Sequence, residues 1–149
     1  AHRDPGLIGA AFDDRESMVE LISDGFHIHP SVVRATFALF GPDRVILVSD
    51  SMMATGMPNG SYKLGDLNVT MKDRKATLED GTLAGSATDL YDCMRCAVSF
   101  GVPREHAIWA ATRNPAKSIG IYDRVGSLTP EKEADVLLVD EDLKLCRVI

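Results

Sequence analysis

Two stretches decide the fold: Met18-Val19-Glu20-Leu21-Ile22-Ser23 and Arg44-Val45-Ile46-Leu47-Val48, the second running straight into Ser49-Asp50-Ser51. The first is a short apolar run that stops at Asp24-Gly25. The second has consecutive rather than alternating apolar residues, which is the pattern of a strand buried on both faces. Between them a helix is expected from Pro30-Ser31, because proline suits a first helical turn. Val33, Phe37 and Phe40 recur at helical spacing and Gly41-Pro42 closes the segment. Strand, helix and strand within about 30 residues make a βαβ unit, so the two strands are expected to be parallel. Their polar endings, Asp24-Gly25-Phe26-His27 and Ser49-Asp50-Ser51, then share one sheet edge. In α/β folds that edge is where ligands bind.

Outward from this unit the pattern changes. Residues 1–17 carry Asp4-Pro5-Gly6 and Gly9 and read as a loop. Between Gly60 and Gly81, runs at Tyr62–Leu64, Leu67–Met71 and Ala76–Leu78 are broken by Gly65-Asp66 and Asp73-Arg74, a small antiparallel excursion. Ser86 is expected to cap the next helix with Asp89 as its capping-box partner; Leu90, Met94, Ala97 and Val98 form the apolar face and Gly101 ends it. A further helix follows Pro103 with Ile108 and Ala111 inward, and another runs from Pro115 to Gly120. Ala134–Val139 and Leu143–Ile149 read as two closing strands. One βαβ unit, a β excursion and three helices do not close a sheet, so the chain is expected to be a piece of a larger fold.

The 149 residues are 45% hydrophobic and 26% charged, values of a globular rather than a disordered chain. The acidic balance, with 22 Asp and Glu against 16 Lys and Arg, shows no basic stripe and argues against a nucleic-acid partner. No apolar run approaches the roughly 20 residues needed to span a bilayer, and no signal peptide is expected. Cys93 and Cys96 share one helical face without a second ligand pair at zinc spacing, so buried structural thiols in a reducing cytoplasm are expected.

Several residues carry candidate chemistry. Asp50 closes a buried strand; by residue type alone a turn or helix-capping aspartate is the commoner reading, and a proton-transferring carboxylate is the functional one. His27 and His29 form an H-x-H that on a strand puts both rings on one face. Pro30 argues instead for a loop, which favours substrate contact by His27 over metal ligation and a surface place for His29. Arg3 is either a solvated charge or an anion binder, since a guanidinium suits a phosphate bidentately. Leu83-Ala84-Gly85-Ser86 precedes a helix N-terminus, where free N–H groups attract oxygens.

Taken in order, the stretches His2-Arg3-Asp4-Pro5-Gly6-Leu7-Ile8-Gly9, Ile22–His27, Leu47–Asp50 and Gly81–Ser86 resemble the N-acetylglucosamine-6-phosphate deacetylases of the amidohydrolase superfamily. So do Asn114-Pro115-Ala116, Gly126-Ser127-Leu128 and Ala134-Asp135-Val136. Pro130-Glu131-Lys132 departs from the usual Pro-Gly-Lys turn. The resemblance implies an α/β fold, the C-terminal part of a (β/α)₈ TIM barrel with its last two strands and following helices, over residues 1–122. Residues 123–149 would add C-terminal strands of a small β-sandwich. It implies Asp50 as acid/base and a substrate-binding set of Arg3, Asp24, Gly25, Phe26, His27, Leu83, Ala84 and Gly85. Arg3 would reach the phosphate of the neighbouring subunit in a homodimer. It also implies a divalent metal, zinc or similar, in the full-length enzyme. No stretch here matches the family's metal ligands, so no metal residue is assigned, none is expected to bind, and the chain alone is expected to be inactive.

Overall fold

The computed structural model describes residues 3–149. The elements follow the order α1 (Gly6–Asp13), β1 (Val19–Leu21), α2 (Pro30–Phe40), β2 (Val45–Leu47), β3 (Gly60–Leu64), β4 (Leu67–Lys72), β5 (Lys75–Thr77), α3 (Leu90–Ser99), α4 (Arg104–Ala111), α5 (Arg113–Ser118), β6 (Leu137–Val139) and β7 (Leu145–Val148). As the apolar runs require, β1 and β2 are parallel, with Val19, Glu20 and Leu21 opposite Val45, Ile46 and Leu47. Helix α2 connects them. Pro30 occupies its first turn, the His29 ring accepts from the Ser31 N–H, and Gly41 at φ 77° lets the chain leave.

The main core lies on one face of this strand pair. Leu21, Val45 and Leu47 meet Val33 and Phe37 of α2, Met94 and Ala97 of α3, and Ala107 and Ala110 of α4. Each fully buried Val or Leu contributes about 1.5–3 kcal/mol, so this seam carries much of the fold's stability. A second core, around Met52, Val69, Met71, Ala76 and Ala84, lies under the three-stranded antiparallel sheet β3-β4-β5. Its alternation places Val69 and Met71 inward and Asn68, Thr70 and Lys72 outward. The last hairpin, β6-β7, is antiparallel with every residue exposed. It is tied to the main core by the buried Leu143, whose carbonyl accepts from the Tyr91 hydroxyl at 2.8 Å.

Four local expectations are corrected. The segment read as a loop contains α1. Its C-terminal carbonyls are held from a distance, because the Arg44 guanidinium donates to the carbonyls of Ala11 and, at 2.6 Å, Asp14. Phe12 also packs edge-on against Phe40, with ring centroids 6.4 Å apart. The cap of α3 is Asp89, whose carboxylate accepts from the Asp92 N–H at 2.7 Å; Ser86 lies upstream and buried. In α4 the buried residues are Ala107 and Ala110, and the half-buried Ala111 packs against the core as expected, while Ile108 is exposed. Alanine faces let α4 approach β2 closely, and that contact sets the helix rotation. Finally, the two closing strands are shorter than the apolar runs that suggested them.

Candidate functional site

Asp50 stands three residues past the end of β2 in a left-handed backbone conformation, φ 49°. That region is costly for most residues but open to aspartate. Because side chains alternate along a strand, Glu20, Ile46 and Val48 face away from the helical core. With Asp50, with Leu90 of α3 and with Pro115, Ser118 and Ile119 at α5, they line an open cleft of about 350 Å³. The Asp50 side chain is exposed and accepts no hydrogen bond from the described residues. Its main chain is firmly held: the Ser86 N–H donates to the Asp50 carbonyl at 2.8 Å, and the Met52 N–H to the Ser86 carbonyl at 2.9 Å.

These bonds bring Leu83–Ser86 alongside Asp50. Ser51 and Ser86 form a parallel bridge, while Leu83 bridges Thr77 at the end of β5. The sequence places these segments 33 residues apart without indicating that they touch. A buried hydroxyl cluster locks them together. The Thr88 N–H donates to Ser86 Oγ at 3.0 Å, Ser86 Oγ also pairs with Thr88 Oγ1, and Ser51 Oγ donates to the Thr88 carbonyl at 2.7 Å. Gly85 lies so close that a Cβ there would sit 3.1 Å from the Asp50 carbonyl oxygen and 3.7 Å from Oδ2. Sequence reasoning missed Ser86 and Thr88 as the lock; two hydroxyl residues in an otherwise apolar, buried stretch are the signal for it.

At the end of β1, Asp24 is buried and Gly25 turns the chain at φ 88°. Asp24 Oδ1 accepts from the backbone N–H groups of Phe26 at 2.9 Å and His27 at 3.0 Å, and Oδ2 from His27 Nδ1 at 2.8 Å. Burial pushes the Asp24 carboxyl up, but these N–H donors and the imidazole outweigh it and hold the group below the usual carboxylate range. Phe26 points elsewhere, into a second cleft of about 420 Å³ that it shares with Thr70, Lys72, Lys75 and Thr77 of the antiparallel sheet. His29 is exposed and occupied as the α2 cap. Arg3 is exposed in the turn before α1, and no hydrogen bond or ion pair joins it to Asp50 or His27 among the described residues. His2 lies outside the described residues.

The sequence model of the amidohydrolase family matches residues 10–148. The chain belongs to the amidohydrolase family. It is similar to the N-acetylglucosamine-6-phosphate deacetylase of Bacillus subtilis, with 39% identity over 98% of this chain and 38% of that protein. It is also similar to the N-acetylgalactosamine-6-phosphate deacetylase of Escherichia coli O157:H7, with 35% identity over 99% of this chain and 39% of that protein. Among solved structures it is similar to a mutant of the Mycobacterium smegmatis N-acetyl-D-glucosamine-6-phosphate deacetylase in complex with N-acetyl-D-glucosamine-6-phosphate. There the TM-score is 0.92 and identity 33%, over 100% of this chain and 40% of that one. The chain therefore spans about two-fifths of the length of these relatives.

Within this amidohydrolase chain no three His, Cys, Asp or Glu side chains converge on one point among the described residues. The residues present thus do not fit a metal centre by themselves. Cys93 is buried and Cys96 half-buried, and burial raises both thiols. No described helix is long and apolar enough to cross a membrane.

Proposed function

We propose that this chain is the acid/base-bearing part of a deacetylase acting on N-acetylglucosamine 6-phosphate, with Asp50 transferring the proton. The observation that carries this reading is the exposed Asp50 carboxylate, held at a parallel-strand end against Gly85 and free of hydrogen-bond donors among the described residues. The relatives' names supply the substrate class. Asp50 takes a proton from the water that attacks the acetamide carbonyl. As the C–N bond breaks it returns that proton to the nitrogen, giving glucosamine 6-phosphate and acetate. An amine leaves poorly without that proton.

The parallel β1-β2 pair, with helices packed against it, supports placing residues 1–122 in the last two strands and following helices of a (β/α)₈ barrel. The exposed β6-β7 hairpin supports assigning 123–149 to a small β-sandwich. The divalent metal would be held by residues outside this chain, so we assign activity to the enzyme that contains the chain rather than to the chain alone. His27 and the Leu83–Gly85 backbone would face the sugar. Arg3 would meet the phosphate of a second subunit in a homodimer. The free thiols fit a cytoplasmic enzyme.

Two predictions test this reading. First, the enzyme should lose roughly 10–100-fold in kcat/KM on unphosphorylated N-acetylglucosamine, since a charge-assisted contact is worth about 1.5–3 kcal/mol. Arg3→Met should remove most of that preference. Equal kcat/KM on the two sugars would point instead to another N-acyl substrate. The galactosamine-named relative makes N-acetylgalactosamine 6-phosphate the second substrate to assay. Second, Gly85→Ala should displace the Asp50 loop, because the added methyl meets the Asp50 carbonyl at 3.1 Å. Overpacking of this kind costs about 1–3 kcal/mol, and kcat should fall about tenfold with little change in the circular dichroism spectrum. An unchanged kcat would show that the spacing between Gly85 and Asp50 is unimportant.

A further inference from the structure

We infer that Asp24 is a positioning residue, not a substrate ligand: its buried carboxylate holds His27 in one tautomer and one ring orientation, so that His27 meets substrate through Nε2. The identity of the substrate rests on the deacetylase reading above; the pairing itself does not. Three observations carry it.

The Asp24 side chain is only 1% exposed, against 22% for His27, so the histidine and not the aspartate reaches the surface. Both Asp24 oxygens are already engaged, Oδ1 by two backbone N–H groups and Oδ2 by the ring. Finally, Oδ1 and Oδ2 grip the backbone and the ring of the same residue, a two-point clamp that a sugar contact would have to break.

The chemistry of the clamp is one-directional. An ionised carboxylate only accepts, so Nδ1 must be the donor at 2.8 Å. In the neutral ring the lone pair is therefore on Nε2, which has no hydrogen-bond partner among the described residues. It can accept from a sugar hydroxyl or an amide N–H. In the imidazolium, Nδ1 still donates to Asp24 and Nε2 donates to an anionic oxygen. Asp24 thus fixes the ring in both states, as the partner on the far nitrogen sets the tautomer of any such histidine. The clamp is in turn braced from below, since Ser23 Oγ donates to the Cys93 carbonyl of α3 at 2.7 Å.

The test begins on the enzyme containing this chain, labelled with ¹⁵N-histidine, near neutral pH. The expected spectrum shows the His27 proton on Nδ1, and a proton on Nε2 in the neutral ring overturns the inference. Asp24→Asn keeps an oxygen for the two backbone donors but turns an amide N–H toward Nδ1. It should move the ring proton to Nε2, and a proton remaining on Nδ1 counts against the clamp. Should the Asn variant not fold, the parent spectrum still decides. In the enzyme containing the chain, Asp24→Asn should lower kcat/KM about 10–100-fold, the scale of losing a second partner of a functional histidine. On a His27→Ala background the same change should cost less than twofold, because nothing is left to position. A full-sized further loss there would show that Asp24 acts by itself. If the tautomer inverts as expected but no deacetylation is found, the clamp stands and the substrate reading fails.

Discussion

An enzyme carrying Asp50→Asn should bind N-acetylglucosamine 6-phosphate about as tightly as its parent and turn it over roughly 10²–10⁴-fold more slowly, the range of a lost general acid/base. The substitution isolates chemistry from folding. Asp50 sits at φ 49°, a conformation that asparagine also tolerates, so the backbone need not move. Its carbonyl, which receives the Ser86 N–H, is untouched. Among the described residues the side chain accepts no hydrogen bond, so no packing network is broken. Only the oxygen proposed to transfer the proton is lost. Asp50→Ala would confound the result, because a non-polar residue in this region pays about 1–2 kcal/mol of backbone strain. Acetate release in single-turnover assays would check the step directly. Near-parental turnover by the asparagine enzyme would return Asp50 to the turn residue that its type alone suggests.

The sequence made this site legible in parts, and the division has a physical cause. The βαβ unit could be read because its signals are local: consecutive apolar residues at Val45–Val48, proline at 30 and glycine at 41. The antiparallel excursion was legible for the same reason, and Gly60–Leu64, Leu67–Lys72 and Lys75–Thr77 lie where the turn pairs put them. Helix α1 was hidden because Arg44, about thirty residues away, binds its last carbonyls. The rotation of α4 was hidden because alanines at 107 and 110 give way to a strand they meet only in three dimensions. At the site, Asp50 and Gly85 could each be singled out, but their 3.1 Å approach is a property of a tertiary bridge. Asp24 and His27 both read as substrate contacts in the sequence; the bond between the carboxylate and the ring, on which the proposed clamp rests, is one that composition and spacing do not encode.

The largest effect on stability should come from Asn114. It is fully buried near the start of α5, and its Nδ2 donates to the carbonyls of Pro42 and Val45, each at 2.7 Å. Successive carbonyls of a strand point to opposite edges. The Arg44 carbonyl accepts from the Val19 N–H of β1, so the Val45 carbonyl faces the other edge of β2. At this first residue of β2, Asn114 supplies the donor. Its own Oδ1 has no partner among the described residues, so the side chain is retained for what it donates. Asn114→Leu would strand two carbonyls and should cost about 2–4 kcal/mol, given about 1–3 kcal/mol per buried group left unmade. Asn114→Asp should cost more at neutral pH, about 3–5 kcal/mol, because it buries a negative charge against two carbonyl oxygens. Burial raises the carboxyl of the aspartate variant in the folded state, so the deficit is fullest above that raised value. It shrinks as falling pH protonates the group and lets it donate once more. Urea titrations at pH 5 and pH 8, on the enzyme containing this chain, would test this. The aspartate variant should recover a large part of its stability at pH 5 while the leucine variant does not. A pH-independent deficit, or one below about 1 kcal/mol, would mean that the edge of β2 is held by something other than this amide.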